Sequence, residues 1–174
     1  RDLEALPLIL DQYVYTAIKE KNFSAYWNLL RMDEEYYQDI HSSSRYTLIQ
    51  RGKGTLEMAI SRYSKAEELW RDGDSLSALK AVEEALEQLK RMGYEESLFG
   101  VRIRMILGEI SAHLGQVKNS EDHYRRCLEI MDSLPGGSSL PWYRLVMDNL
   151  SFVLAQKGLY GEALEVQEKR QKLS

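Results

Sequence analysis

The sequence predicts an all-α fold, an α-α superhelix of stacked helical hairpins with about four helix pairs. Glycines recur at one place in similar segments, at Gly73, Gly115 and Gly158, which are 42 and 43 residues apart. Small residues recur around each glycine, seven before it, five after it and a further seven on. Apolar residues repeat at three- and four-residue spacing between the glycines, and strand-like alternation is nowhere sustained.

The small residues form three aligned sets. Ala66, Gly73, Ala78 and Ala85 make the first, and Gly108, Gly115, Ser120 and Cys127 the second. Ser151, Gly158 and Ala163 continue the third until Arg170 breaks it. Glycine ends a helix in the left-handed conformation, and small residues on both sides let two antiparallel helices approach closely. Leu79, Val82, Leu86 and Leu89 then give the second helix of one pair its apolar stripe. Ile103, Leu107, Ile110 and Leu114 do so for the first helix of the next, and Trp142, Val146, Leu150 and Val153 for the one after.

Taken in order, helices are expected near 3–20, 23–40, 46–71, 75–92, 95–114, 118–133, 140–157 and 160–172. Residues 1–58 form the irregular part, where Lys21-Asn22-Phe23 stands in place of a glycine turn, and read as a degenerate repeat or cap. Ser42-Ser43-Ser44 is suited to start the third helix, which Gly52 and Gly54 weaken by roughly 1 kcal/mol each relative to Ala. Residues 59–174 carry the three regular hairpins. Arg91-Met92-Gly93-Tyr94 and the stretch from Leu134 to Ser139 are the breaks between them, and Pro141 fits a first helical turn.

Composition narrows the function. With 44% hydrophobic and 29% charged residues and three prolines in 174 residues, the chain has the balance of a folded globular protein. A formal net charge of -4 recruits neither nucleic acid nor an anionic membrane, and no apolar run approaches the roughly 20 residues of a membrane span. Cys127 is the sole cysteine, so the chain has no internal disulfide and no cysteine-based zinc site. The redox compartment stays open, with a cytoplasmic location as the default expectation. The start at Arg1 is compatible with a piece of a larger protein.

The segment NLSFVLAQKGLYGEAL, then LGEISAHLGQVKNSEDHYRRCLEI, then AEELWRDGDSLSALKAVEEALE, resemble tetratricopeptide repeats. Their length resembles the variety of about 42 residues found in kinesin light chains and bacterial regulatory proteins. The resemblance covers about residues 59–174. It implies a right-handed superhelix whose concave surface, lined by the first helix of each pair, binds an extended peptide or a helix of another protein. Ser120 and Cys127 depart from the alanines of the pattern, and the polar ending QEKRQKLS resembles a cap or truncation point.

Turning each first helix by about 100° per residue selects the groove candidates. They are Tyr63, Glu67 and Trp70 in one repeat, Arg102, Met105, Glu109 and His113 in the next, and Asp148, Asn149, Phe152 and Gln156 in the last. Asn149 stands out, because an amide both donates to a peptide carbonyl and accepts from its N–H, and the resemblance puts asparagine similarly in peptide-binding repeats. Arg102 and Arg104 suit an acidic motif, or else pair with Glu109 or solvent. Trp70 and Trp142 read as packing residues. Tyr36-Tyr37 and the stretch from Tyr13 to Tyr15 are either a recognition patch or helix contacts.

Catalytic chemistry finds no foothold in these spacings. His41, His113 and His123 make no metal-binding arrangement, and Gly52-Lys53-Gly54-Thr55 lacks the spacing and Lys-Ser/Thr adjacency of a phosphate loop. The expectation is a non-enzymatic protein-interaction module with no cofactor and a protein or peptide partner. Two alternatives stay open: a sensor or regulatory fragment of a larger transcriptional or signalling protein, and a homo-oligomeric array joined through apolar ends.

Overall fold

A computed structural model describes residues 58–173 with the exception of 94 and 135. Helix α1 covers 58–71, and α2 Ser75–Arg91, α3 Leu98–His113, α4 Val117–Ser133, α5 Pro141–Gln156 and α6 Tyr160–Gln171 follow. A single 3-10 turn, Gly137–Ser139, precedes α5. Every regular element among the described residues is helical, and the six helices pack in neighbouring pairs. The first two expected helices, the start of the third, His41, both tyrosine patches and the Gly52–Gly54 segment lie outside the described residues.

The repeat glycines close their helices as their chemistry requires. Gly73, Gly115 and Gly158 have φ of 85°, 79° and 80°. Each left-handed residue lets the next N–H turn back on the helix: Asp74 donates to the Leu69 carbonyl at 2.9 Å, Gln116 to Ser111 at 2.8 Å and Leu159 to Leu154 at 2.9 Å. Three of the helices start with their own device, whereas α4 and α6, which follow Gly115 and Gly158, have no side-chain cap. The Asp74 side chain accepts from Ser77 N, that of Ser97 accepts from Gly100 N, and Pro141 occupies the first turn of α5.

The small-residue ladder is the hairpin seam. Ala66, Ala78, Ala85, Ser120 and Cys127 are fully buried. A Cβ on Gly108 would meet the Tyr124 ring at 2.5 Å, so only glycine lets that ring lie on α3. The two departures from alanine are polar groups satisfied across the seam. Ser120 Oγ donates to the Gly108 carbonyl at 2.7 Å, and Cys127 Sγ to Val101 O at 3.5 Å.

The α2–α3 contact joins the first hairpin to the second, and α4–α5 joins the second to the third. One core runs through both junctions, including Ile103, Leu107, Ile110, Ile130, Leu150 and Leu154. The junctions differ in chemistry. Leu79 and Leu114 pack on the core at the first, while one repeat later Glu121 and Lys157 hold the same positions and pair at 2.6 Å.

Candidate functional site

The first helices α1, α3 and α5 lie side by side and present one face. Contacts across them establish this: Arg102 Nη2 of α3 sits 3.3 Å from Glu67 Oε2 of α1, and its guanidinium lies 5.9 Å from the Tyr63 ring and 5.8 Å from the Trp142 ring of α5. Further along, Trp70 meets His113 edge to face at 5.2 Å. Arg102 is thereby held between two aromatic rings with a carboxylate beside it, a stack that favours guanidinium over ammonium.

The expected groove residues separate into four groups. Glu67, Arg102, Trp70 and His113 come together as described, with Glu109 half-buried close enough to feel both Arg102 and Glu67. Asn149 is half-buried on α5, while Phe152 and Gln156 are exposed on the same helix. Tyr63 and Met105 are buried in the core at 3% and 0% exposure, and the turn of the helix alone misplaces them as surface. Each is covered because α1 and α3 have helix neighbours on more than one side. Asp148 faces α6 instead, where it pairs with Arg170 at 2.8 Å and accepts from Gln167.

Two expected pairings are corrected. Arg102 pairs with Glu67 on the preceding first helix, not with Glu109. Arg104 is no groove residue: it is 9% exposed, bound to Glu95 and 3.2 Å from His123 Nδ1 on α4. The arginines are two positions apart, about 200° around the helix, which places them on opposite sides of α3. Trp70 and Trp142 pack against the core as expected, and Trp142 also forms one wall of the Arg102 stack.

Further exposed apolar residues lie beyond the expected set. Leu145 is 44% exposed on α5, and Tyr160 and Leu164 of α6 are 70% and 60% exposed. With Phe152, Tyr160 and Leu164 border a shallow cleft of about 430 Å³ at the outer edge of the third hairpin. The 43-residue offset carried a signal for them: it aligns Tyr160 with half-buried Val117, Leu164 with buried Glu121 and Phe152 with half-buried Glu109.

The electrostatics of the face are dominated by burial. Glu109 has its pKa raised by desolvation, a shift that Arg102 opposes and Glu67 reinforces. Burial also raises the Tyr63 hydroxyl, a shift that Arg102 opposes and Glu67 reinforces. Burial pushes the Cys127 thiol up to about 12, so it acts as a small core residue and not as a nucleophile. Among the described residues no three His, Cys, Asp or Glu side chains converge on a metal position, and no helix is long and apolar enough to cross a membrane.

Residues 102–173 match the tetratricopeptide-repeat family model, a stretch that takes in most of the second hairpin and all of the third. The match supports a tetratricopeptide-repeat family and, in general terms, a protein-interaction module. No curated protein matches the chain.

Proposed function

We propose that this chain binds a peptide or a partner helix on the face lined by α1, α3 and α5, as a tetratricopeptide array of the long variety. One observation carries the reading: three successive first helices are locked together at Glu67, Arg102 and Trp142, so their exposed side chains form a single surface. The turn spacing of 42 and 43 residues supports the long repeat.

The mechanism is preorganisation. Packed hairpins hold Arg102 between its rings and set Asn149, Phe152 and His113 on fixed helices before a ligand arrives. Binding then avoids much of the ordering cost, about 0.5–1.5 kcal/mol for each immobilised side chain, that a flexible surface incurs. Function here needs no bond making and no cofactor.

The test is affinity capture from source-cell lysate with the wild-type chain and an Arg102→Ala, Asn149→Ala, Phe152→Ala variant whose thermal melting is unchanged. A protein retained by the wild type alone supports the face as the working surface. Equal capture by both, or none by either, sinks it.

A further inference from the structure

Three positions recur with the repeat along the edge that each hairpin turns toward the next. They are Glu67, Ser75 and Leu79 in the first hairpin, Glu109, Val117 and Glu121 in the second, and Phe152, Tyr160 and Leu164 in the third. The first two sets are half-buried or buried, whereas Phe152, Tyr160 and Leu164 are 65%, 70% and 60% exposed. A helix makes the difference. α3 packs on α2 and α5 packs on α4, while α6 is the last described helix and has no such neighbour among the described residues. A cleft of about 430 Å³ with almost wholly apolar walls opens at this edge instead.

The two covering helices show what such an edge takes. Lys157, at the end of α5, meets Glu121 of α4 at 2.6 Å. Val146, Leu150 and Val153 lie in line with it at three- and four-residue spacing and are at most 2% exposed. On α3 the same four positions are Ile103, Leu107, Ile110 and Leu114, and there the edge carries Leu79 in place of a carboxylate. The fourth position goes with the edge: lysine with glutamate, leucine with leucine. Leu164 puts the outer edge in the second class. Asp148, the charged residue of the cleft wall, is already neutralised by Arg170 at 2.8 Å and does not call for a basic group. An extended segment would bring unpaired N–H and C=O groups to these apolar walls, whereas a helix satisfies its own. Among the described helices, α3 and α5 carry the four-position stripe and bury it in the chain's own core, so a second copy has neither to offer.

We infer that the outer edge of the third hairpin docks an amphipathic helix of a partner protein, laid on α6 as α5 lies on α4. Its apolar residues fall at i, i+4, i+7 and i+11, and the last is a large apolar residue and not a basic one. This surface lies outside the face lined by α1, α3 and α5, and the inference goes beyond the proposed function.

The test uses two fluorescein-labelled helical peptides, titrated by fluorescence anisotropy against the full 174-residue chain. One carries Ile, Leu, Ile and Leu at the stripe positions with Glu and Lys elsewhere, and the other carries Lys at the fourth. The leucine peptide should bind about tenfold more tightly, because the lysine is desolvated without a partner. Leu164→Glu, which restores the carboxylate found at Glu121, should reverse the preference. Asn149→Ala, on the other face, should change neither affinity, and unchanged melting of each variant excludes loss of fold. The inference is overturned by an absence of binding, by equal binding of a peptide with the same composition and a scrambled stripe, or by a preference that Leu164→Glu leaves in place. Loss of binding in Asn149→Ala overturns it too, since the peptide would then sit on the other face. So does a dimer, seen by light scattering, that Leu164→Glu returns to monomer, since a second copy would then be the occupant.

Discussion

The second hairpin's edge toward the third and the third hairpin's outer edge are built on the same positions with opposite chemistry. At the inner edge Glu121 is 5% exposed, clamped by Lys157 at 2.6 Å and Arg125 at 2.7 Å. At the outer edge its equivalent is Leu164, 60% exposed, with Phe152 and Tyr160 beside it at 65% and 70%. An ion pair at one position and a bare leucine at its counterpart one repeat later mean that the repeats share a backbone and not a surface. The inner edge uses charge where it is covered, and the outer edge leaves apolar groups where they are open, the reverse of a solvent-facing cap.

The comparison can be broken most forcefully at the inner hairpin. Gly108→Val drives a side chain into the Tyr124 ring, and chemical denaturation should show a loss of about 3 kcal/mol. A loss under 1 kcal/mol would mean that the ring moves freely and that close approach does not hold the hairpin. Lys157→Met strands Glu121 with Arg125 alone and should cost about 2 kcal/mol. Installing leucine at both Glu121 and Lys157, the chemistry of Leu79 and Leu114 at the first junction, should return stability to within about 1 kcal/mol of wild type. A double variant as weak as the single one would show that the two junctions are not interchangeable.

Acid sharpens the same contrast. The Lys157 hydrogen bond, against the opposing effect of burial and with help from Arg125, holds the Glu121 pKa at about 2, below its ordinary 4.5. Burial, then Arg104, lowers His123 from 6.5 to about 4. Both groups are depressed in the folded state, so the unfolded chain takes up protons first as the pH falls. Stability should drop between about pH 6.5 and 4 through His123, and again between about 4.5 and 2 through Glu121. His123→Gln should flatten the first decline and leave the second, as denaturation midpoints measured against pH would show. The outer edge should respond least: Leu164→Glu exposes no core and should change stability by no more than about 0.5 kcal/mol. A loss above 1.5 kcal/mol would mean that something already covers this edge.

Much of this was legible in the chain. The turns at Gly73, Gly115 and Gly158 and the small residues around them follow from local chemistry, because a positive φ and a close helix approach each demand a particular residue type. The helix ends agree with expectation within three residues for the same reason. The face was harder. Helical turning selects Glu67, Arg102 and Phe152, which lie outside the buried core, but also Tyr63 and Met105, which lie in it, since periodicity counts one buried stripe and a helix inside an array is covered on several. The Arg102–Glu67 pair spans 35 residues, and no local rule distinguishes it from Arg102–Glu109 seven residues away on one helix.

By itself, then, the sequence determined an all-helical array, its turns and its seams, which depend on the residue types of each helix and of the helix that follows it in sequence. Only the tertiary structure decided which side of α3 carries Arg102 and which carries Arg104, that Glu121 is buried while Leu164 is open, and that Arg102 pairs with Glu67 on the preceding first helix. Those outcomes depend on which helix covers which face, and coverage is a property of three-dimensional neighbours that composition and spacing do not encode.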